Sequence, residues 1–110
     1  MMNMQYRVDN DIVRDRNNVM ILKLDNYNIR YARDSRKLLQ IQNNFVLDAN
    51  NRKVLEVRND KIYDAYSRQI GTIKGDKITL KNQTLEIKNS ERYSFQVRAA
   101  TAAAIVMNLL

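Results

Sequence analysis

FVLDANNRKVLEVRND at 45–60 is followed without a gap by KIYDAYSRQIGTIKGD at 61–76, and the two sixteen-residue segments align position for position. Asp48 falls on Asp64, Arg52 on Arg68, Val57 on Ile73 and Asp60 on Asp76. A fixed short period means that one small structural unit is reused along the chain. Outward from this pair, DIVRDRNNVMILKLDNY at 11–27 and NIRYARDSRKLLQIQNN at 28–44 are looser copies, and a shortened fifth copy spans 77–90.

Each copy carries two turn signals. One series runs Asn17-Asn18, Asp34-Ser35, Asn50-Asn51, Tyr66-Ser67 and Asn82-Gln83; the other runs Asp9-Asn10, Asp25-Asn26, Asn43-Asn44, Asn59-Asp60, Gly75-Asp76 and Asn89-Ser90. A turn therefore arrives about every eight residues, the length of one short strand and its connection. Asn and Asp tolerate left-handed backbone angles better than other residues with a Cβ, so a chain with only Gly71 and Gly75 can still make this many tight turns.

Between turns, apolar residues lie two apart: Leu22 and Leu24, Leu39 and Ile41, Leu55 and Val57, Leu85 and Ile87, with polar Lys23, Gln40 and Glu56 between them. Period two puts each apolar pair on one face of a strand and leaves the other face wet. The short spacing has no room for crossover helices, so neighbouring strands must run antiparallel. The expected fold class is all-β: an antiparallel up-and-down meander of about 10–12 short strands over residues 4–98, curved or closed into a barrel.

The last segment changes character, being Ala-rich from Ala99 to Ala104, free of charge after Arg98 and free of turn residues before Asn108. These features predict a helix over about 98–110. A helix apolar on every side must be buried on every side, so the curved sheet is expected to wrap around it, with docking on a neighbouring subunit as the alternative. The apolar run is too short to span a bilayer, which takes about 20 residues.

The chain has 110 residues, consistent with a single domain over 1–110, and its 19 Lys and Arg against 12 Asp and Glu give a formal charge of +7. With no Cys and no His, thiol nucleophiles, imidazole bases, Ser-His-Asp triads and Cys or His metal sites are excluded. No metal or cofactor is expected, and no enzyme activity. The lack of cysteine fits a reducing compartment, and the first seven residues lack a basic segment followed by an apolar stretch, so a cytoplasmic location is expected.

Two repeat-related sets carry candidate chemistry. Arg36, Arg52 and Arg68 stand sixteen residues apart, each after a turn, and with Lys37 and Lys53 they would form a basic row at one end of the sheet, suited to an anion or nucleic acid. Base stacking would draw on Tyr31, Tyr63 and Tyr66. Asp15, Asp48 and Asp64 also recur, but an Asp just before a tight turn accepts hydrogen bonds from the turn's own amides, which accounts for its repetition without catalysis.

Ile62-Tyr63-Asp64-Ala65-Tyr66-Ser67-Arg68-Gln69-Ile70-Gly71-Thr72-Ile73-Lys74-Gly75-Asp76-Lys77-Ile78 resembles the repeat of small bacterial four-fold β-flower proteins, I-Y-D-x-x-G-[RK]-x-[IV]-G-x-I-x-[GD]-D-x-I. The likeness runs over about residues 11–88, with Asn18, Ser35, Asn51 and Ser67 standing where that family has its turn Gly. It implies a repeat meander and no established activity. A second similarity, in strand number and the hydrophobic C-terminal helix, is to tubby-like barrels, including the LURP-one and scramblase relatives. The function expected is a non-catalytic binding or assembly module, bacterial or phage, whose partner is a second copy or another protein. The alternative is a basic protein binding nucleic acid or anionic lipid through the repeat-related Arg row.

Overall fold

The structure, a computed structural model, describes residues 4–107. Eleven strands follow one another: β1 (Met4–Asp9), β2 (Ile12–Asp15), β3 (Met20–Leu24), β4 (Asn28–Tyr31), β5 (Lys37–Gln42), β6 (Phe45–Asp48), β7 (Lys53–Arg58), β8 (Lys61–Asp64), β9 (Gln69–Lys74), β10 (Lys77–Leu80) and β11 (Gln83–Lys88). Helix α1 (Phe95–Val106) ends the described chain. Each strand pairs with the next, and β1 pairs with β11 to close a barrel.

The expected meander is thus present and closed, and the five repeat copies are five hairpins, β2–β3 to β10–β11, with β1 added ahead of them. Ten of the eleven joints are antiparallel, but β1 and β11 pair in parallel, Met4 opposite Leu85 and Arg7 opposite Lys88. An odd number of alternating strands makes the first and last run the same way, so closure has no other option. Two boundaries shift from the sequence expectation. The strands stop at Lys88 rather than near 98, and the helix begins at Phe95 because Ser94 caps it, its Oγ accepting from the Val97 amide at 3.1 Å. The remainder of the expected helix, 108–110, lies outside the described residues.

Curvature comes from a defect repeated in four hairpins. The register slips between Val13 and Arg14, Ile29 and Arg30, Val46 and Leu47, and Ile62 and Tyr63, leaving Ile21, Leu38, Val54 and Ile70 as extra residues in the odd-numbered strands. Such bulges bend and twist a sheet, and these four side chains pack on or within the core. The turns are built as the Asn and Asp content implies. Eleven non-glycine residues have positive φ, seven of them Asn, and Asn18, Ser35, Asn51 and Ser67 take φ of 68°, 61°, 63° and 65°.

Nine consecutive residues of α1, Val97 to Ile105, are buried, which covers every face of the helix. It packs against β4, β5, β6, β7, β9 and β10, so it lies inside its own barrel. Inward Val8, Val13, Leu22, Ile29, Leu39, Val46, Leu55, Ile62, Ile78 and Leu85 meet it or fill the space around it. Eleven strands enclose more room than inward side chains alone can fill, and a helix of Ala99, Ala100, Ala102, Ala103 and Ala104 is slim enough to take it up. No helix among the described residues is long and apolar enough to cross a membrane.

Candidate functional site

The barrel has two ends of different construction. At the end where α1 enters, Gln96 Nε2 donates to Asn44 Oδ1 at 3.0 Å and Arg98 Nη1 to the Gly75 carbonyl at 2.9 Å. Ser90 donates to Asp76 Oδ1 through both its amide and hydroxyl, and Tyr93 Oη donates to Asp11, which Arg92 also reaches at 3.3 Å. Burial first, and the Asp11 contact next, push the Tyr93 phenol above its ordinary pKa. Every one of these bonds ties the segment after β11, or the helix, to a turn of the barrel. They seat the plug.

The opposite end carries the turns that hold the sequence-derived candidates. Asp48 Oδ1 accepts from the Asn50 and Arg52 amides, both at 2.9 Å, and Asp64 Oδ1 from the Tyr66 and Arg68 amides at 2.8 and 3.0 Å. Asp15 does the same for Asn17 and Val19. The Arg52 and Arg68 amides, more than the guanidiniums of the same residues, hold the Asp48 and Asp64 carboxyls below the usual carboxylate range. Each aspartate serves its own turn, and among the described residues no three Asp or Glu converge as metal ligands.

Arg36, Arg52 and Arg68 do stand at equivalent positions of this rim, each accepting through its carbonyl the bond that closes its hairpin turn, from Tyr31, Asp48 and Asp64. Alternate strands separate them by about 10 Å along the rim. Two of the three are paired within their own copy: Arg52 Nε lies 3.4 Å from Asp48, and Arg68 Nε lies 3.0 Å from Asp64. Arg36 instead lies over the Tyr31 ring beside Arg33. Lys53 pairs with Glu56 at 3.6 Å and covers Phe45, whereas Lys37 donates to Gln40 Oε1. Tyr63 is covered by Arg58 and Tyr66 by Arg68, so all three stacking candidates, Tyr31 included, already carry a cation on their rings.

The register of the strands brings together a second set of cations. Arg7 on β1 is opposite both Lys88 on β11 and Arg14 on β2; Lys23 on β3 is opposite Arg30 on β4, and Arg30 is opposite Lys37 on β5. Ile12, two residues before Arg14 on the same face, is opposite Lys23 and joins the two groups. All six alternate with inward core residues and so project outward. Only Arg7 has a carboxylate partner among the described residues, Asp9 at 2.8 Å. Arg14 Nη1 donates to the Asn18 carbonyl, Lys23 Nζ to Ser35 Oγ and Arg30 Nη1 to the Ser35 carbonyl, all neutral groups.

Of these six, sequence reasoning reached only Lys37, and that by its proximity to Arg36. The others sit inside strands at the polar alternate positions, where a charge reads as ordinary solvation. The signal was in the repeat alignment, since Arg14 and Arg30 occupy the position held by Leu47 and Tyr63 in the next two copies. Among the described residues no buried side-chain nitrogen or oxygen lacks a hydrogen-bond partner, so the barrel interior presents no open polar group to a ligand. No family model, curated protein or solved structure matches this chain.

Proposed function

We propose that this protein is a non-catalytic binding module that meets its partner on the outside of the barrel. The observation that carries this is the position of α1, whose side chains from Val97 to Ile105 occupy the space where an open barrel would hold a small ligand. Closure also removes the free strand edges through which sheets recruit additional strands, so a partner is engaged by side chains of the wall or rims. The β-flower resemblance belongs to the same proposal, supported by the left-handed backbone at Asn18, Ser35, Asn51 and Ser67, where that repeat places Gly. A cytoplasmic setting agrees with the cysteine-free sequence.

A neutral apolar dye, Nile red, tests the filled interior. The folded protein should leave its fluorescence unchanged below the melting transition. Stoichiometric uptake accompanied by a rise in melting temperature would show an accessible lumen and overturn the proposal.

A further inference from the structure

We infer that the outer wall of β1–β5, bordered by Lys88 on β11, holds the phosphate backbone of duplex nucleic acid without reading its sequence. The inference rests on the proposal that partners are met outside the barrel, and narrows it to one face and one chemistry. Arg7, Arg14, Lys23, Arg30, Lys37 and Lys88 form a band across six adjacent strands, and five of them have no carboxylate partner among the described residues. In this half of the barrel Asp11, Asp25 and Asp34 lie in turns, and Asp15 is engaged by its turn amides. On the wall itself Asp9 at the end of β1 pairs with Arg7, and Glu86 on β11 lies opposite Gln5. Carboxylates thus border the band at β11 and β1, and the outward face of β2–β5 carries none among the described residues. At about 4.8 Å per strand the band covers roughly 24 Å, the axial length of about seven successive phosphates of one strand.

The outward strand side chains interspersed with the cations include Gln5, Asp9, Ile12, Met20, Asn28 and Gln40, and no aromatic ring; exposed Tyr27 lies off the wall, in the turn between β3 and β4. Binding of single strands depends on bases stacking on aromatic side chains, whereas a duplex presents its phosphates to a surface that has none. Lys and Arg held by neutral acceptors remain free to neutralise phosphates and displace their counterions. The chief competing occupant is an anionic membrane, because Val19 and Met20 are 53% and 52% exposed next to Arg14.

The test is a titration of the full chain with a fluorescent 20-base-pair duplex of arbitrary sequence, the matching single strand, and vesicles of phosphatidylserine and phosphatidylcholine, each at low and moderate salt. Duplex should bind most tightly, independent of sequence, with log K falling against log salt by about three to five units of slope. Lys23→Gln with Arg30→Gln and Lys37→Gln should weaken duplex binding about tenfold or more and reduce that slope by up to about three, while Arg52→Ser with Arg68→Ser changes neither. In the unaltered protein, duplex should protect Lys23 and Lys37 from acetylation read by mass spectrometry, a measurement that does not depend on a variant folding. Absence of duplex binding at low salt, preference for the single strand, binding to the vesicles alone, or loss through the rim variant would each overturn the inference. If none of the three polyanions binds and Nile red is also excluded, the wall assignment fails while the exterior-binding proposal stands; dye uptake removes the proposal itself.

Discussion

The first two repeat copies and the next two build the same stretch of barrel with opposite exteriors. In both halves a Leu points inward at the same place in the odd strand, Leu22 and Leu39 in one half and Leu55 in the other, with Gly71 as the exception. Outward, the equivalent positions hold Arg14 and Arg30 in the first half but Leu47 and Tyr63 in the second, and Lys23 and Gln40 in the first but Glu56 and Thr72 in the second. In the second half most cations are absorbed: Glu56 takes both Lys53 and Arg58, Arg58 also covers Tyr63, and Arg52, Arg68 and Lys61 pair with Asp48, Asp64 and Asp60. Lys74 stands opposite Lys77 without a carboxylate among the described residues. The core positions are under the common demand of closing the barrel around α1, whereas the outward positions are not. Apart from Gly71 the divergence falls in the outward set, which is where partner recognition has room to reside.

The largest test attacks what the halves share. Deleting residues 95–110 should abolish the cooperative melt of both halves, because loss of the plug empties a lumen whose lining needs it, and total stability is only about 5–15 kcal/mol. A truncated chain that still melts cooperatively near the original temperature would show that the barrel stands without α1.

Next, the equivalent truncations Leu39→Ala and Leu55→Ala should each cost about 2–5 kcal/mol and by similar amounts, both side chains being fully buried. Chemical denaturation with unchanged slope checks this. Gly71 sharpens the comparison, because restoring even a Cβ there would place it 2.2 Å from the Thr79 carbonyl oxygen of the neighbouring strand. Gly71→Ala should destabilise by at least about 1–3 kcal/mol, although the repeat elsewhere carries Leu.

Acid should strain the second half through its turns. The Asp48 and Asp64 carboxyls titrate lower in the folded chain than when unfolded, so their stabilisation is complete above the ordinary carboxylate pKa of about 4 and is lost as pH falls through the folded values. Asp48→Asn with Asp64→Asn keeps the accepting oxygens and removes that titration. The melting temperature of the variant should fall less steeply than the wild type's between about pH 4 and 2.

Exchanging exteriors should separate binding from folding. Arg14→Leu with Arg30→Tyr, the residues of the second half, should leave stability within about 0.5 kcal/mol per site yet weaken duplex binding. The reciprocal Leu47→Arg with Tyr63→Arg should raise the salt slope by up to about two units. Smallest of all, Asn51→Gly and Ser67→Gly should be neutral or stabilising by up to about 1 kcal/mol, since both residues hold φ near 60° where a Cβ is penalised.

Local chemistry accounts for what was legible in the chain. Turns are set by a few adjacent residues, so the Asn and Asp pairs announced them, and strand faces follow from period two in the same local way. The bulges were also written locally, as the adjacent apolar pairs Ile21-Leu22, Leu38-Leu39 and Val54-Leu55 that interrupt alternation, but two neighbouring apolar residues mean a bulge only once the partner strand's register is known. Ser94 before the helix is likewise a local capping signal, though a weaker one in the sequence than the Ala run that follows it.

Long-range closure decided the rest. An odd strand count turned the last joint parallel and placed Lys88 beside Arg7, residues eighty-one positions apart that no periodicity connects. The same closure gave α1 a lumen of its own subunit instead of a neighbour's surface. The rim row of Arg36, Arg52 and Arg68 was visible because repeats place like residues alike; that Asp48 and Asp64 would fold back onto two of them follows from the same turn, once its geometry is built. By contrast, the wall on which five of six cations lack a carboxylate among the described residues depends on which strand edges meet. Charge composition is a property of the sequence, but whether a cation finds a carboxylate is a matter of distance, and distance across a sheet is set by register.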